Sequence, residues 1–333
     1  LVDPDIEFLG DEFDEENENE DEDEDEDEKE LGPFSDCNSL LRVDLSGLTK
    51  LTCIGAFACN DCKFLECVIL PASLETIEYG AFHSCTSLAR IILPGGLRKI
   101  GESAFSYCNA LERIELPDGV TEVGGSAFAS SGLSSIIFPN SVTDIGEDAL
   151  RGCANLISVT LPDTLTEVPH ALMYGCSSLR IITIPSSVNE VDGHAFAGCI
   201  ALEKVHLTSS EITFKEYAFR NATRLIELAA AAGFPSVTDD NGNCYGEGVG
   251  PYLLYRFEQE VRRKLIFVAY SRYVAAVHSA DGSEEEKVKA AIALFSPTLA
   301  PFTTSCAGLF LYYCSIGGGS KPPKPPGCGV GPG

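Results

Sequence analysis

Fourteen cysteines and five histidines are the residues of this 333-residue chain best suited to metal or redox chemistry. Cys59-Asn-Asp-Cys62 is a CxxC pair, with Cys53 and Cys67 close by. A structural zinc site needs four ligands, as a rule from two such pairs. No second pair follows at that spacing, so the cysteines read as packing rather than ligation. The histidines (His83, His170, His194, His206, His278) share no spacing and form no HxxxH. Nucleophile-elbow, phosphate-loop, dinucleotide and zincin motifs are absent. Gly317–Gly319 lacks the Lys-Ser/Thr that completes a phosphate loop. The sequence offers no catalytic residue, no metal site and no cofactor, and the chain reads as a non-enzyme.

What the cysteines do show is a period. Cys85, Cys108, Cys153, Cys176 and Cys199 fall at one position of a repeat of about 23 residues. LPASLETIEYGAFHSCTSLARII (70–92) and LPGGLRKIGESAFSYCNALERIE (93–115) match position for position: Leu74 with Leu97, Ile77 with Ile100, Phe82 with Phe105, Leu88 with Leu111. A fixed period of this length signals a repeat architecture. The template is LPxxLxxIxxxAFxxCxxLxxIx. Its LxxIxL piece alternates like a short strand, Pro ends that strand, and LxxI is a second extended piece. AFxxCxxL, at i, i+3, i+6, suits a turn of helix or 3₁₀ structure. One unit cannot bury its apolar side; stacked units give continuous columns of Leu/Ile, Phe and Cys. A cysteine recurring once per unit behaves as a small apolar residue.

The LP, AF and Cys positions make the stretch from Phe34 to Ala229 similar to the BspA-like (Treponema-type) leucine-rich-repeat family. The resemblance implies an α/β fold: a right-handed solenoid with a curved parallel sheet, used for protein–protein interaction. About eight and a half repeats are expected over 33–229. The unit at 116–137 is one residue short around Ser130–Gly132 and lacks the Cys. In the last unit Glu211 falls on a buried Leu position, so either Ile212 takes the place through a bulge or the end frays.

Charge divides the chain. Residues 1–32 hold 19 acidic residues and one Lys, out of a net charge of −27. From Asp11 to Glu30 like charges repel and almost nothing can be buried, which predicts a disordered acidic tail. An acidic surface disfavours nucleic acid, because a phosphate backbone needs a basic face. No apolar run reaches membrane-spanning length. Reduced structural thiols favour a cytoplasmic or nuclear compartment, with a secreted or surface form left open. After the solenoid, 230–316 reads as a loop followed by helices. Tyr252 to about His278 carries Leu254, Phe257 and Val261 on one face, and Ser283 with Glu286 forms a capping box. Residues 317–333 are a Gly/Pro-rich tail. The triplet Arg262-Arg263-Lys264 reads as a solvated helix face.

The repeat also fixes which residues leave the core. In LxxIxL the third and fifth positions point outward. The third-position row is Arg42, Cys67, Arg90, Arg113, Ser135, Ser158, Ile181, Lys204. The fifth is Asp44, Ile69, Ile92, Glu115, Ile137, Thr160, Thr183, His206. Exposed Arg beside aliphatic residues is the composition of a contact surface, so Arg90, Arg113, Ile92, Ile137 and Lys204 are the expected partner contacts. A second row (Thr76, Lys99, Glu122, Asp144, Glu167, Glu190) gathers four carboxylates. It reads as a solvated acidic face, with a calcium ladder or a basic partner as alternatives. The expected function is a monomeric, non-catalytic scaffold binding a protein partner through its sheet face. A cell-surface adhesin is the alternative, and enzyme activity within 230–316 is a third.

Overall fold

The computed structural model describes residues 8–9, 32–239 and 243–261. The capping box at Ser283, the Arg262–Lys264 triplet, the acidic run and the Gly/Pro tail lie outside the described residues. The chain divides into two compact units, Leu1–Phe257 and Glu258–Gly333. The first is a parallel β-solenoid of about 8 turns with ~23-residue spacing.

The turns contribute short strands to two parallel ladders. The first ladder takes the LxxIxL piece: Arg42–Asp44, Cys67–Ile69, Arg90–Ile92, Ser135–Ile137, Ser158–Thr160, Ile181–Ile184 and Lys204–Leu207. The second takes LxxI: Cys53–Ile54, Thr76–Ile77, Lys99–Ile100, Glu122–Val123, Asp144–Ile145, Glu167–Val168, Glu190–Val191 and Thr213–Phe214. Register follows the repeat, for example Cys67↔Arg90, Ile69↔Ile92 and Thr76↔Lys99. Between the ladders, the apolar template positions are buried almost without exception. The Phe column packs ring on ring, Phe82–Phe105–Phe128 at 5.4 and 5.6 Å and Phe196–Phe219 at 5.4 Å. Leu150 and Met173, fully buried, fill the same column.

The AFxxC segment is not a helix. Half of its amides bond locally, as in His83 N–H to Gly80 O (2.9 Å) and Cys85 N–H to Phe82 O (3.3 Å). The alternate amides reach the next turn, as in Phe82 N–H to Ala104 O (2.9 Å) and Ser84 N–H to Ser106 O (2.8 Å). That alternation needs two left-handed residues per turn, such as Gly80 and Ser84, then Ser103 and Tyr107. A left-handed residue stops the i+3 ladder from running on as a 3₁₀ helix.

The cysteine column has a polar job as well as a packing one. Each Sγ donates to a carbonyl of the preceding turn: Cys85 to Cys59 O (3.1 Å), Cys108 to Phe82 O (3.2 Å), Cys153 to Phe128 O (3.1 Å), Cys176 to Leu150 O (3.2 Å) and Cys199 to Met173 O (3.1 Å). In the short unit the buried Ser131 lies 3.3 Å from Cys153 Sγ. At the far end Ile212 is buried and Glu211 exposed, the bulge alternative. Helix α1 (Thr223–Ala231) follows, burying Leu225 and Ala229. Residues 249–261 are helical, and their buried side is Val249, Tyr252 and Leu253. Of the Leu254–Phe257–Val261 face read from the sequence, Leu254 is half-buried against the same core, Phe257 is half-buried and Val261 is exposed.

Candidate functional site on the first ladder

The outer face of the first ladder displays both predicted rows. Ile92 is 82% exposed and Ile137 65%. Arg90, Arg113 and Lys204 are exposed, and Lys204 pairs in register with Ile181. Among the described residues Arg90 and Arg113 make no ion pair, whereas Arg42 is engaged with Asp44 at 3.8 Å.

The ladder is interrupted between two of these residues. Arg42–Asp44, Cys67–Ile69 and Arg90–Ile92 form one sheet, and the next, Ser135–Ile137 with Ser158–Thr160, begins beyond Arg113. Arg113 has only an isolated bridge, to Ser135. Upstream, Ala89 N–H reaches Glu66 O at 3.4 Å, and downstream Ser134 N–H reaches Glu112 O at 3.0 Å. No such bond joins Ala89 to Glu112 among the described residues. The gap opens a hollow of about 670 Å³ with Arg90 and Ile92 on one wall and Glu112, Arg113 and Glu115 on the other.

Arg90, Arg113 and Ile92 are thus brought together at one place. Ile137 lies one turn beyond Glu115. Lys204 stands five turns from Arg90, ~24 Å away at ~4.8 Å per strand.

The acidic row of the second ladder is closed at each end by a lysine. Lys99 Nζ lies 3.4 Å from Glu122, and Lys215 Nζ 2.8 Å from Glu190 and 3.6 Å from Asp192. The bond to Glu190 is the main cause holding the Lys215 pKa up. Cys59 and Cys62 are both buried, and Cys62 Sγ donates to Phe34 O at 2.9 Å, as other members of its column do. Its bond to Cys59 lowers the Cys62 pKa, while the same bond and burial push Cys59 up. Among the described residues no three His, Cys, Asp or Glu are grouped to hold a metal ion. His170 and His194 do meet, their rings 5.4 Å apart. They come from neighbouring turns but adjacent repeat positions, so no shared spacing announced them.

Two parallel ladders of about 23-residue turns with apolar columns between them define a leucine-rich-repeat solenoid. The profile of the BspA type leucine rich repeat region matches residues 31–132 and 121–240, with 6 copies. The chain belongs to that family.

Among solved structures it is similar to a leucine-rich repeat protein from Bacteroides ovatus: 28% identity, TM-score 0.51, 54% of this chain and 48% of that one. It is also similar to a leucine rich cell surface protein from Faecalibacterium prausnitzii (29%, TM-score 0.40, 56% and 59%) and to a T. pallidum leucine rich repeat protein (32%, TM-score 0.37, 51% and 68%). The chain spans about half the length of the Bacteroides protein. No curated protein matches it. Nothing in these comparisons supports a cytoplasmic or nuclear compartment. Among the described residues no helix is long and apolar enough to cross a membrane.

Proposed function

We propose that the chain is a non-catalytic protein-binding module whose contact surface is the outer face of the first ladder, centred on the hollow between Arg90 and Arg113. The observation that carries this reading is the coincidence of three features at one break in the ladder. Two guanidinium groups are unpaired among the described residues, Ile92 is exposed, and a recess lies between them. Arginine is among the residues that most often carry binding energy at protein interfaces. A stacked solenoid presents this surface already formed, so little is lost to ordering on association. Ile137 and Lys204 extend the same face and set how long a partner it takes.

The partner is expected to bring carboxylates to Arg90 and Arg113 and an apolar side chain to Ile92. Arg90→Glu/Arg113→Glu is expected to weaken capture of a partner by ~30-fold or more, the range of a hot-spot loss, while the thermal melt stays within a degree or two. Both side chains are exposed and unpaired among the described residues, so reversal removes no contact seen there to hold the fold. Capture unaffected by the double reversal would remove this face as the binding site.

A further inference from the structure

We infer that Phe8–Leu9 and the stretch from Gly32 to Leu45 belong to one solenoid turn, and that the acidic run Asp11–Glu30 is an insertion between them in the sequence. Two independent observations lead here. Residues Phe8–Leu9 form a parallel strand that extends the second ladder, with Phe8 opposite Cys53 and Leu9 opposite Ile54. Cys53 and Ile54 are in turn opposite Thr76 and Ile77, so the N-terminal strand is in phase with the column.

The sequence asks for the same register. Ile6-Glu7-Phe8-Leu9 matches LxxI as it stands in Leu51-Thr52-Cys53-Ile54, Leu74-Glu75-Thr76-Ile77 and Leu97-Arg98-Lys99-Ile100.

The chain then rejoins the repeat at a fixed point. Gly32 occupies the position of Gly80, two residues before the Phe column, and is buried. A Cβ there would stand 2.3 Å from the Phe57 carbonyl oxygen, so only glycine passes. Phe34 is in the Phe column: it accepts the Cys62 thiol just as Phe82 accepts Cys108. In regular turns the last residue of LxxI and the Phe-column residue are five apart, as Ile77 and Phe82 are. Leu9 and Phe34 are 25 apart. The excess of 20 is the length of Asp11–Glu30. Cutting out that run would leave Leu9-Gly10-Leu31-Gly32-Pro33-Phe34, a turn of standard length.

This turn adds one strand to the second ladder beyond Cys53–Ile54. Without Phe8–Leu9 the Cys53–Ile54 strand would be an open edge, a template for pairing with another chain. Both flanks of the acidic run, Phe8–Leu9 and Gly32–Phe34, are thus held in the same turn of the binding module.

Three changes to the full chain test this: deletion of 11–30, deletion of 1–30, and Ile6→Asp/Leu9→Asp. Two properties are read, the melting temperature and hydrogen exchange at the Gly55 amide. Gly101 N–H, at the same place in its turn, bonds to Ile77 O at 2.7 Å, so the Gly55 amide is expected to bond to the Leu9 carbonyl. Deletion of 11–30 is expected to preserve Gly55 protection and to leave Tm unchanged or raised, since crowded like charges are removed. Deletion of 1–30 and the double Asp variant are expected to lower Tm by ~5 °C or more and to lose Gly55 protection. If deleting 11–30 is as damaging as deleting 1–30, or if Gly55 protection is indifferent to residues 1–10, the inference is overturned.

Discussion

The Phe column makes the sharpest statement about what holds the solenoid together. Phe105 is fully buried, with rings stacked on both sides at 5.4 and 5.6 Å and nearly parallel, at 10° and 4°. Phe105→Ala removes the ring, both stacking contacts and the filler of the column, at a cost of about 3–5 kcal/mol. Phe105→Leu should cost much less, about 1–1.5 kcal/mol, because Leu150 already occupies this column with no exposure. Urea denaturation followed by far-ultraviolet circular dichroism measures the difference. At a slope of about 2.5 kcal/mol/M, the Ala variant moves the midpoint down by roughly 1–2 M and the Leu variant by about half a molar. A solenoid is coupled only through neighbouring turns, so a defect at Phe105 also splits the transition into two steps. A loss below about 1 kcal/mol for Phe105→Ala would mean that the stacked rings do not carry the core, and the column argument would fail.

Thiol labelling checks the cysteine column. Burial pushes the pKa of Cys108 and Cys199 up to about 12 and that of Cys153 to about 11, so the folded chain at pH 8 should label slowly there. Among the described cysteines the half-buried Cys37, Cys53, Cys67 and Cys244 should label first, read site by site by mass spectrometry; equal rates before and after unfolding would contradict the burial. His194 makes stability sensitive to acid. Burial first, then His170, Arg220 and Arg151, hold its pKa below the usual histidine value. The unfolded chain therefore binds the proton more readily. The stabilisation is present above pH ~6.5 and is lost as pH falls through that value towards the lowered native pKa. Asn tolerates the left-handed backbone found at His194. The fall in Tm between pH 7.5 and 5.5 should therefore be smaller in His194→Asn than in the parent; equal falls would assign the acid sensitivity elsewhere.

How much was legible in the sequence can be argued position by position. Ile77, Phe82, Cys85 and Leu88 lie inside, and Arg90 and Ile92 outside, because burial in a strand or turn depends on the residue's own place in a short period. At the last turn the same logic put Glu211 on a buried position and left open whether Ile212 takes it; the structure buries Ile212 and exposes Glu211. The helix-like spacing of AFxxC misled. Spacing records which side chains share a side, whereas the conformation was decided by where the amides found partners: half locally, half on the next turn.

The sequence by itself determined the repeat, the membership of the core and the two outward rows, since these follow from local apolar spacing. Only the tertiary structure decided the break between Ile92 and Arg113, the lysines closing the acidic row, and the meeting of His170 with His194. It also decided that Phe8–Leu9 reach across the acidic run to pair with Cys53–Ile54. Each of these depends on how one turn sits on another, a register set by backbone bonds between residues more than twenty positions apart. A residue's own type and immediate spacing carry no record of that register.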